Sequence, residues 1–234
     1  KIREILHNAD IVSGNYECSY DEFDKLTFKV NNLSASRDAI NFLKNSGFNL
    51  LNLANNHTLE RGEQGIRELV KSLKSTGINY TGLKGDYFVF NHAGKKIAFL
   101  NYSAIQDYKN SETLNIWDDD ELGKIRTLSK KVDFVIVNIH WGFEFIIQPS
   151  EAQILLGHKL IDNGVHIVLG HHPHVIQPIE KYKNGIIAYS LGNFIFDGIN
   201  SRNFNNSMIL LLDIDLENKY FDYTVTSLQI NRDY

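Results

Sequence analysis

Histidine, asparagine and carboxylate residues collect at recurring places in this sequence, each just after an apolar run. Asn55-Asn56-His57 follows the run ending at Ala54, His140-Trp141-Gly142 follows the run ending at Ile139, and Gly170-His171-His172-Pro173-His174 follows the run ending at Leu169. Imidazole is the commonest transition-metal ligand, and amide and carboxylate oxygens suit borderline-hard ions such as manganese, iron or zinc. With Asn15 and Glu17, which follow an earlier apolar run, Asn56, His140, His171 and His174 make a ligand set for a divalent ion. The plainer reading is turn chemistry. Asn tolerates left-handed turns, and a single His at a strand end is usually a satisfied surface or core group. That reading serves for His7, His92, His158 and His166. It does not account for three clusters at successive strand ends. Glu144 reads as a loop or capping residue. Asn193, in Ser190-Leu191-Gly192-Asn193-Phe194, reads equally as a turn residue or as a hydrogen-bond partner of a ligand histidine or substrate. Cys18 is most simply a small buried hydrophobe. Phe143, Phe145, Phe194 and Phe196 read as core or pocket wall.

The elements that must position these residues follow from periodicity. Strand-like apolar runs at Asp10–Tyr16, Phe48–Ala54, Lys96–Tyr102, Asp133–Ile139 and Val165–Gly170 alternate with helical patterns. The helices fall at Ser36–Ser46, at Glu63–Ser75 with Gly77 as its stop, at Asp118–Lys130, and at Ser150–Asn163 before Gly164. Ser150, three residues before Gln153, has the signature of a capped N-terminus. The alternation predicts βαβ units and an α/β fold, with polar loops meeting along one sheet edge where ligands bind. Hairpin turns at Asn91-His92-Ala93-Gly94 and Lys183-Asn184-Gly185 add antiparallel strands, the second flanked by Val175–Tyr182 and Ile186–Leu191. Met208–Leu216 and Tyr220–Ile230 read as a closing strand pair, and Asp197–Asn206, rich in Asn, Ser and Gly, as a loop.

Composition narrows the classes. A chain of 234 residues, 43% of them apolar, buries a full core, and residues 1–234 are expected to form one domain. The net charge of −4 with dispersed Lys and Arg provides no track for a nucleic-acid backbone. A single cysteine excludes an internal disulfide and a cysteine-based zinc site. No stretch approaches the roughly 20 apolar residues of a membrane-spanning helix, so the chain is expected to be soluble, without a membrane span.

The ordered motifs resemble those of the poly-γ-glutamate capsule-synthesis (CapA) family: Asn15-Tyr16-Glu17, Leu53-Ala54-Asn55-Asn56-His57, His140-Trp141-Gly142, Gly170-His171-His172-Pro173-His174-Val175 and Tyr189-Ser190-Leu191-Gly192-Asn193-Phe194. The resemblance runs from Asp10 to Asp197. The family is similar to calcineurin-like metallophosphoesterases, which implies a four-layer α-β-β-α sandwich with mixed sheets and a divalent-metal site, of two Mn, Fe or Zn ions. It implies Glu17, Asn56, His140, His171 and His174 as metal ligands and His57 as the catalytic group near the leaving oxygen. Asn15, Asn55, His172 and Asn193 are implied as substrate-binding or supporting residues. The family's Gly-His-x-Pro-His is one residue longer than the phosphoesterase Gly-His-x-His, and of its histidines His171 and His174 are favoured as ligands. Two departures stand out. The sequence starts after the point where the family has its opening Gly-Asp strand, which implies either an N-terminally trimmed form or an incomplete site, and Glu60-Arg61-Gly62 replaces an aspartate, aromatic and glycine.

The resemblance implies a role in capsule or cell-surface polymer synthesis through a phosphoesterase-like hydrolase site. Its partners would be an anionic polymer or phosphoester and other capsule-synthesis proteins. Its location would be the cell exterior or the membrane surface, reached through an N-terminal segment, with the cytoplasm as the alternative. The residues leave two other readings open: a non-catalytic component that binds polyglutamate through metal, and a metal-dependent hydrolase or transferase acting on amide bonds.

Overall fold

The structure, a computed structural model, describes residues 2–22, 33–105, 107, 111–196 and 206–230. It divides into two compact units, Lys1–Phe88 with Asn101–Ile116, and Val89–Leu100 with Trp117–Tyr234.

The first unit contains α1 (Ile2–His7), β1 (Ser13–Asn15), β2 (Ser19–Tyr20), β3 (Ser34–Ala35), α2 (Arg37–Asn45), β4 (Leu50–Asn52), α3 (Gly62–Thr76) and β5 (Asn79–Thr81). Strands β1, β4 and β5 form a parallel sheet in which Ser13 pairs with Leu50 and Leu50 with Asn79. Burial of Ile66, Leu69 and Leu73 along α3 follows the i, i+3, i+7 stripe of an amphipathic helix. Gly77 stops it in a left-handed conformation, φ 69°, as a C-terminal glycine does. Asn52 is wholly buried in β4, and its amide is satisfied: Nδ2 donates to Ser13 Oγ at 3.1 Å and Oδ1 accepts from Thr81 Oγ1 at 3.2 Å. The expected strands Asp10–Tyr16 and Phe48–Ala54 are thus three-residue strands whose flanks are already loop. The short β2–β3 parallel pair has no sequence signal of its own.

In the second unit, β6 (Phe88–His92, from Val89 on), β7 (Lys95–Ser103, as far as Leu100), α4 (Glu121–Ser129), β8 (Phe134–His140), α5 (Glu151–Asp162), β9 (Ile167–His171), β10 (Ile179–Tyr182) and β11 (Gly185–Ala188) precede the ribbon β12 (Asn206–Asp215) and β13 (Tyr220–Gln229). The main sheet has the order β10-β11-β9-β8-β7-β6, with β8, β9 and β11 parallel and β10 antiparallel. Every residue of β8 is buried, as an internal parallel strand covered on both faces requires. Ser150 and Gln153 form the expected capping box at the start of α5. The two expected hairpins are present, with Ala93, Gly94 and Lys183 taking positive φ at their turns. The closing pair is an antiparallel ribbon of ten residue pairs, Asn206–Asp215 against Tyr220–Gln229. The loop expected over Asp197–Asn206 lies outside the described residues, apart from Asn206, which opens β12. The architecture is mixed α/β with several sheets. No described helix is long and apolar enough to cross a membrane.

Candidate functional site

Two neighbouring parallel strands of the second unit, β8 and β9, end in histidine, with His140 paired to His171. Glycine sets their approach: a Cβ on Gly170 would lie 2.0 Å from the Tyr189 carbonyl oxygen and 2.5 Å from Trp141 Nε1. The Trp141 indole uses that space to donate to the same carbonyl at 2.9 Å. Gly142 has φ 83° and packs so closely on Gln153 that a Cβ would meet its amide at 2.6 Å. Gln153 in turn donates to Gln177 Oε1 at 2.9 Å, and Gln177 Nε2 donates to the Ile146 carbonyl at 2.8 Å. A buried amide chain therefore pins the loop that follows β8.

That loop turns back at Phe145. Its φ of 64° is rare for a bulky residue, and its N–H donates to the Pro173 carbonyl at 2.8 Å. His172 and His174 also have positive φ, 99° and 58°. Three non-glycine residues in left-handed backbone concentrate strain at one spot, a pattern typical of functional sites. The geometry brings Glu144, His172 and His174 together, with one donor atom from each within 4.8 Å of the others. The ring of His140, itself fully buried, lies 4.7 Å from that of His172 at an interplanar angle of 58°. His174 Nδ1 donates to Asn193 Oδ1 at 2.8 Å, a bond of the kind that orients a histidine from behind. Phe145 stacks on His174 at 5.9 Å and Phe196 lies 5.1 Å from the same ring.

This donor set fits a divalent ion. Ligand atoms about 2.1 Å from one ion lie at most about 4.2 Å apart, so the separations of up to 4.8 Å among Glu144, His172 and His174 are a small side-chain shift from a coordinating arrangement. His171 Nε2 donates to Asn138 Oδ1 over 3.4 Å, and burial pushes its pKa down to about 4, so the ring is neutral at neutral pH.

The remaining expected residues lie in the first unit and are tied into one loop network. Asn55 is wholly buried. Its Nδ2 donates to the Tyr16 carbonyl at 2.9 Å and to Asn15 Oδ1 at 3.4 Å, while Oδ1 accepts from the N–H of His57 and Thr58 at 3.0 and 3.1 Å. Asn55 is therefore the residue that joins the loops after β1 and β4. Asn15 Nδ2 donates to Glu17 Oε2 at 2.9 Å. His57 Nδ1 pairs with Glu60 Oε1 at 2.5 Å, and Asn56 Nδ2 lies 3.2 Å from Nε2. Glu60 thus fixes the His57 tautomer and ring orientation. Beneath these loops Ala54 N–H donates to Asn101 Oδ1 at 2.6 Å. Burial raises the Cys18 thiol pKa to about 12, with the charges of Glu17 and Glu60 adding to the rise and a Tyr16 hydrogen bond opposing it.

Two residues gain weight from the structure. Glu144 looks like a loop residue in sequence but stands with His172 and His174. Asn138, an amide inside an apolar strand, holds His171, and only its polarity in a fully buried run marks it. His158 and His166 are structural. His158 stacks on Tyr182 at 3.7 Å and bonds Glu180 at 2.9 Å, and His166 Nδ1 accepts from the N–H of Val135 at 3.1 Å.

Comparison with known proteins agrees with these motifs. The family described as bacterial capsule synthesis protein PGA_cap matches residues 1–198. The capsule biosynthesis protein CapA of Bacillus anthracis is 35% identical over 212 residues, covering 82% of this chain and 52% of that protein. The PGA biosynthesis protein CapA of Bacillus subtilis (strain 168) is 30% identical over 218 residues, covering 84% of this chain and 56% of its own length. The chain spans about half the length of these curated relatives. A crystal structure of a hypothetical protein from Thermus thermophilus superimposes with a TM-score of 0.64 at 13% identity, over 99% of this chain and 92% of that one, which shows a shared fold. With the family matched across most of its length and two relatives at 30% identity or more, the chain belongs to the bacterial capsule synthesis protein PGA_cap family.

Proposed function

We propose that the protein acts in the biosynthesis of an anionic capsule polymer of the poly-γ-glutamate type, as a metal-dependent hydrolase of phosphoester bonds. The polymer role is supported by the names of its relatives, capsule biosynthesis protein and PGA biosynthesis protein. The observation that carries the hydrolase reading is the convergence of Glu144, His172 and His174 beside His140 at the ends of β8 and β9.

His172, His174 and Glu144 would hold a divalent ion, with Asn193 orienting His174 from behind. When bound, such an ion neutralises phosphoryl charge and lowers the pKa of a bound water toward neutrality. His140 is buried next to His172 and offers a further imidazole donor. Phe145 and Phe196 flank His174 and exclude water from its ring. In the first unit, His57 and Glu60 form an imidazole–carboxylate pair, an arrangement that can serve as a general acid–base couple.

The test is metal content after manganese or zinc loading, followed by turnover of a generic phosphoester and binding of polyglutamate. The wild-type chain is expected to hold metal and to turn the phosphoester over. A His140→Ala, His174→Ala double variant is expected to lose metal, and His57→Ala to keep metal and lose turnover. Equal metal content in wild type and double variant overturns the metal assignment. Metal-dependent polyglutamate binding without turnover assigns the protein to polymer assembly.

A further inference from the structure

The loop carrying Glu144 exposes an unusual amount of hydrocarbon. Phe143 is 65% exposed, Ile146 51% and Ile147 64%, and Ile195, next to the His174 neighbour Phe196, is 59% exposed. The loop that bears Phe143, Ile146 and Ile147 is a fixed frame. Phe145 N–H is bonded to the Pro173 carbonyl, the Ile146 carbonyl is held by buried Gln177, and the capping box of Ser150 closes the segment. Exposed apolar side chains on an anchored loop mark a binding surface. Across 142–149 and 190–196 the only charged residue is Glu144, which stands with His172 and His174. With no Lys or Arg there, an anionic bilayer has no diffuse charge to recognise.

We infer that the site takes an amphiphile: a phosphoryl head at the Glu144, His172 and His174 cluster, with its hydrocarbon tail along Phe143, Ile146, Ile147 and Ile195. The inference rests on the metal reading above and names the substrate class for it. Complementarity selects this occupant. A divalent ion on two imidazoles and one carboxylate keeps net positive charge for an anionic oxygen, and the hydrocarbon begins at residues adjacent in sequence to Glu144 and Phe196. A wholly polar phosphoester leaves those side chains in water, whereas a tail covers them.

Binding of dodecyl phosphate, below its micelle concentration, and of methyl phosphate is measured by calorimetry on the full chain, with and without manganese. Metal content is recorded for each sample. Dodecyl phosphate is expected to bind about 100-fold more tightly, the equivalent of three to four buried methylenes. Inorganic phosphate is expected to compete with it. A Phe143→Ser, Ile147→Ser, Ile195→Ser variant is expected to keep its metal and methyl phosphate affinity and to lose the preference for the long chain. Equal affinity for the two phosphates, or a preference that survives in the variant or against inorganic phosphate, overturns the inference. Absence of metal refutes the hydrolase reading instead, and the chain-length ratio on the metal-free protein then decides this one. Cosedimentation with phosphatidylcholine vesicles containing phosphatidic acid assigns the amphiphile to a bilayer. Binding to free dodecyl phosphate alone assigns it to a soluble carrier.

Discussion

Asn193→Ala tests whether Asn193 supports His174 in the proposed metal site. His174 and Asn193 are 7% and 8% exposed, and the 2.8 Å bond from His174 Nδ1 to Asn193 Oδ1 fixes the tautomer and orientation of the ring. Removing the amide leaves a buried N–H without its acceptor, at a cost of about 1–3 kcal/mol. It also frees the imidazole to rotate or change tautomer, and loss of such a partner typically lowers metal affinity about 10–100-fold. The two figures agree, since a tenfold change corresponds to about 1.4 kcal/mol. A second bond, from Asn193 Nδ2 to the His174 carbonyl at 3.3 Å, disappears as well, so the metal-free melting temperature is also expected to fall. Asn193→Asp separates the two effects, because it keeps an acceptor for Nδ1 and loses only the second bond. Chelator competition with manganese or zinc is expected to show weakened binding for Asn193→Ala and near wild-type binding for Asn193→Asp. Unchanged metal affinity in Asn193→Ala, alongside a lowered melting temperature, would show that Asn193 serves the loop and not the ligand.

Three further outcomes follow from the same structure. Burial raises the pKa of Asp86 from 3.8 to about 6 against the opposing hydrogen bonds from the Gly82 and Leu83 N–H groups. Its stability contribution is therefore complete below about pH 4 and lost as pH rises through 6, and Asp86→Asn is expected to be about 1–2 kcal/mol more stable than wild type at pH 7 but not at pH 4, after discounting for solvent screening. Urea melts at the two pH values that give parallel curves would refute that sign. Cys18, with its thiol pushed up to about 12, is expected to alkylate about 1000-fold more slowly than a free cysteine near neutral pH until the chain unfolds, a contrast that iodoacetamide kinetics with and without denaturant can measure. Gly170→Ala forces a methyl into the Tyr189 carbonyl and the Trp141 indole and is expected to cost about 1–3 kcal/mol or more in thermal or chemical unfolding. A wild-type melting temperature would mean that β9 shifts freely.

Much of the framework was legible because its signals are local. The α3 stripe, the Ser150 box and the hairpin turns each depend on residues a few positions apart, and β8 is apolar over almost its whole length. The first-unit strands were overestimated because the burial of flanking apolar residues such as Tyr16 and Leu53 extends one residue past the registered strand pairs, where the backbone makes a last bond to Asn52 and Thr81 and turns into loop. The polar clusters were also visible, but not which side chains meet. Alternation along β9 ends at His171, and the backbone beyond it enters the left-handed region at His172 and again at His174, so strand periodicity has no authority there. Glu144 was opaque for a related reason. The turn that carries it depends on positive φ at Phe145, a residue type with no preference for that conformation.

The left-handed backbone at Phe145 and His172 has a consequence for how this family drifts. Glycine relieves such positions by about 1 kcal/mol or more each, so a lineage released from its chemistry gains stability simply by mutating there. Selection for folding alone therefore erodes the cluster, and only selection for its use retains it. On the proposed metal reading, histidine at 172 in a relative with this backbone is a record of continued use, and glycine there marks a copy whose site has fallen silent.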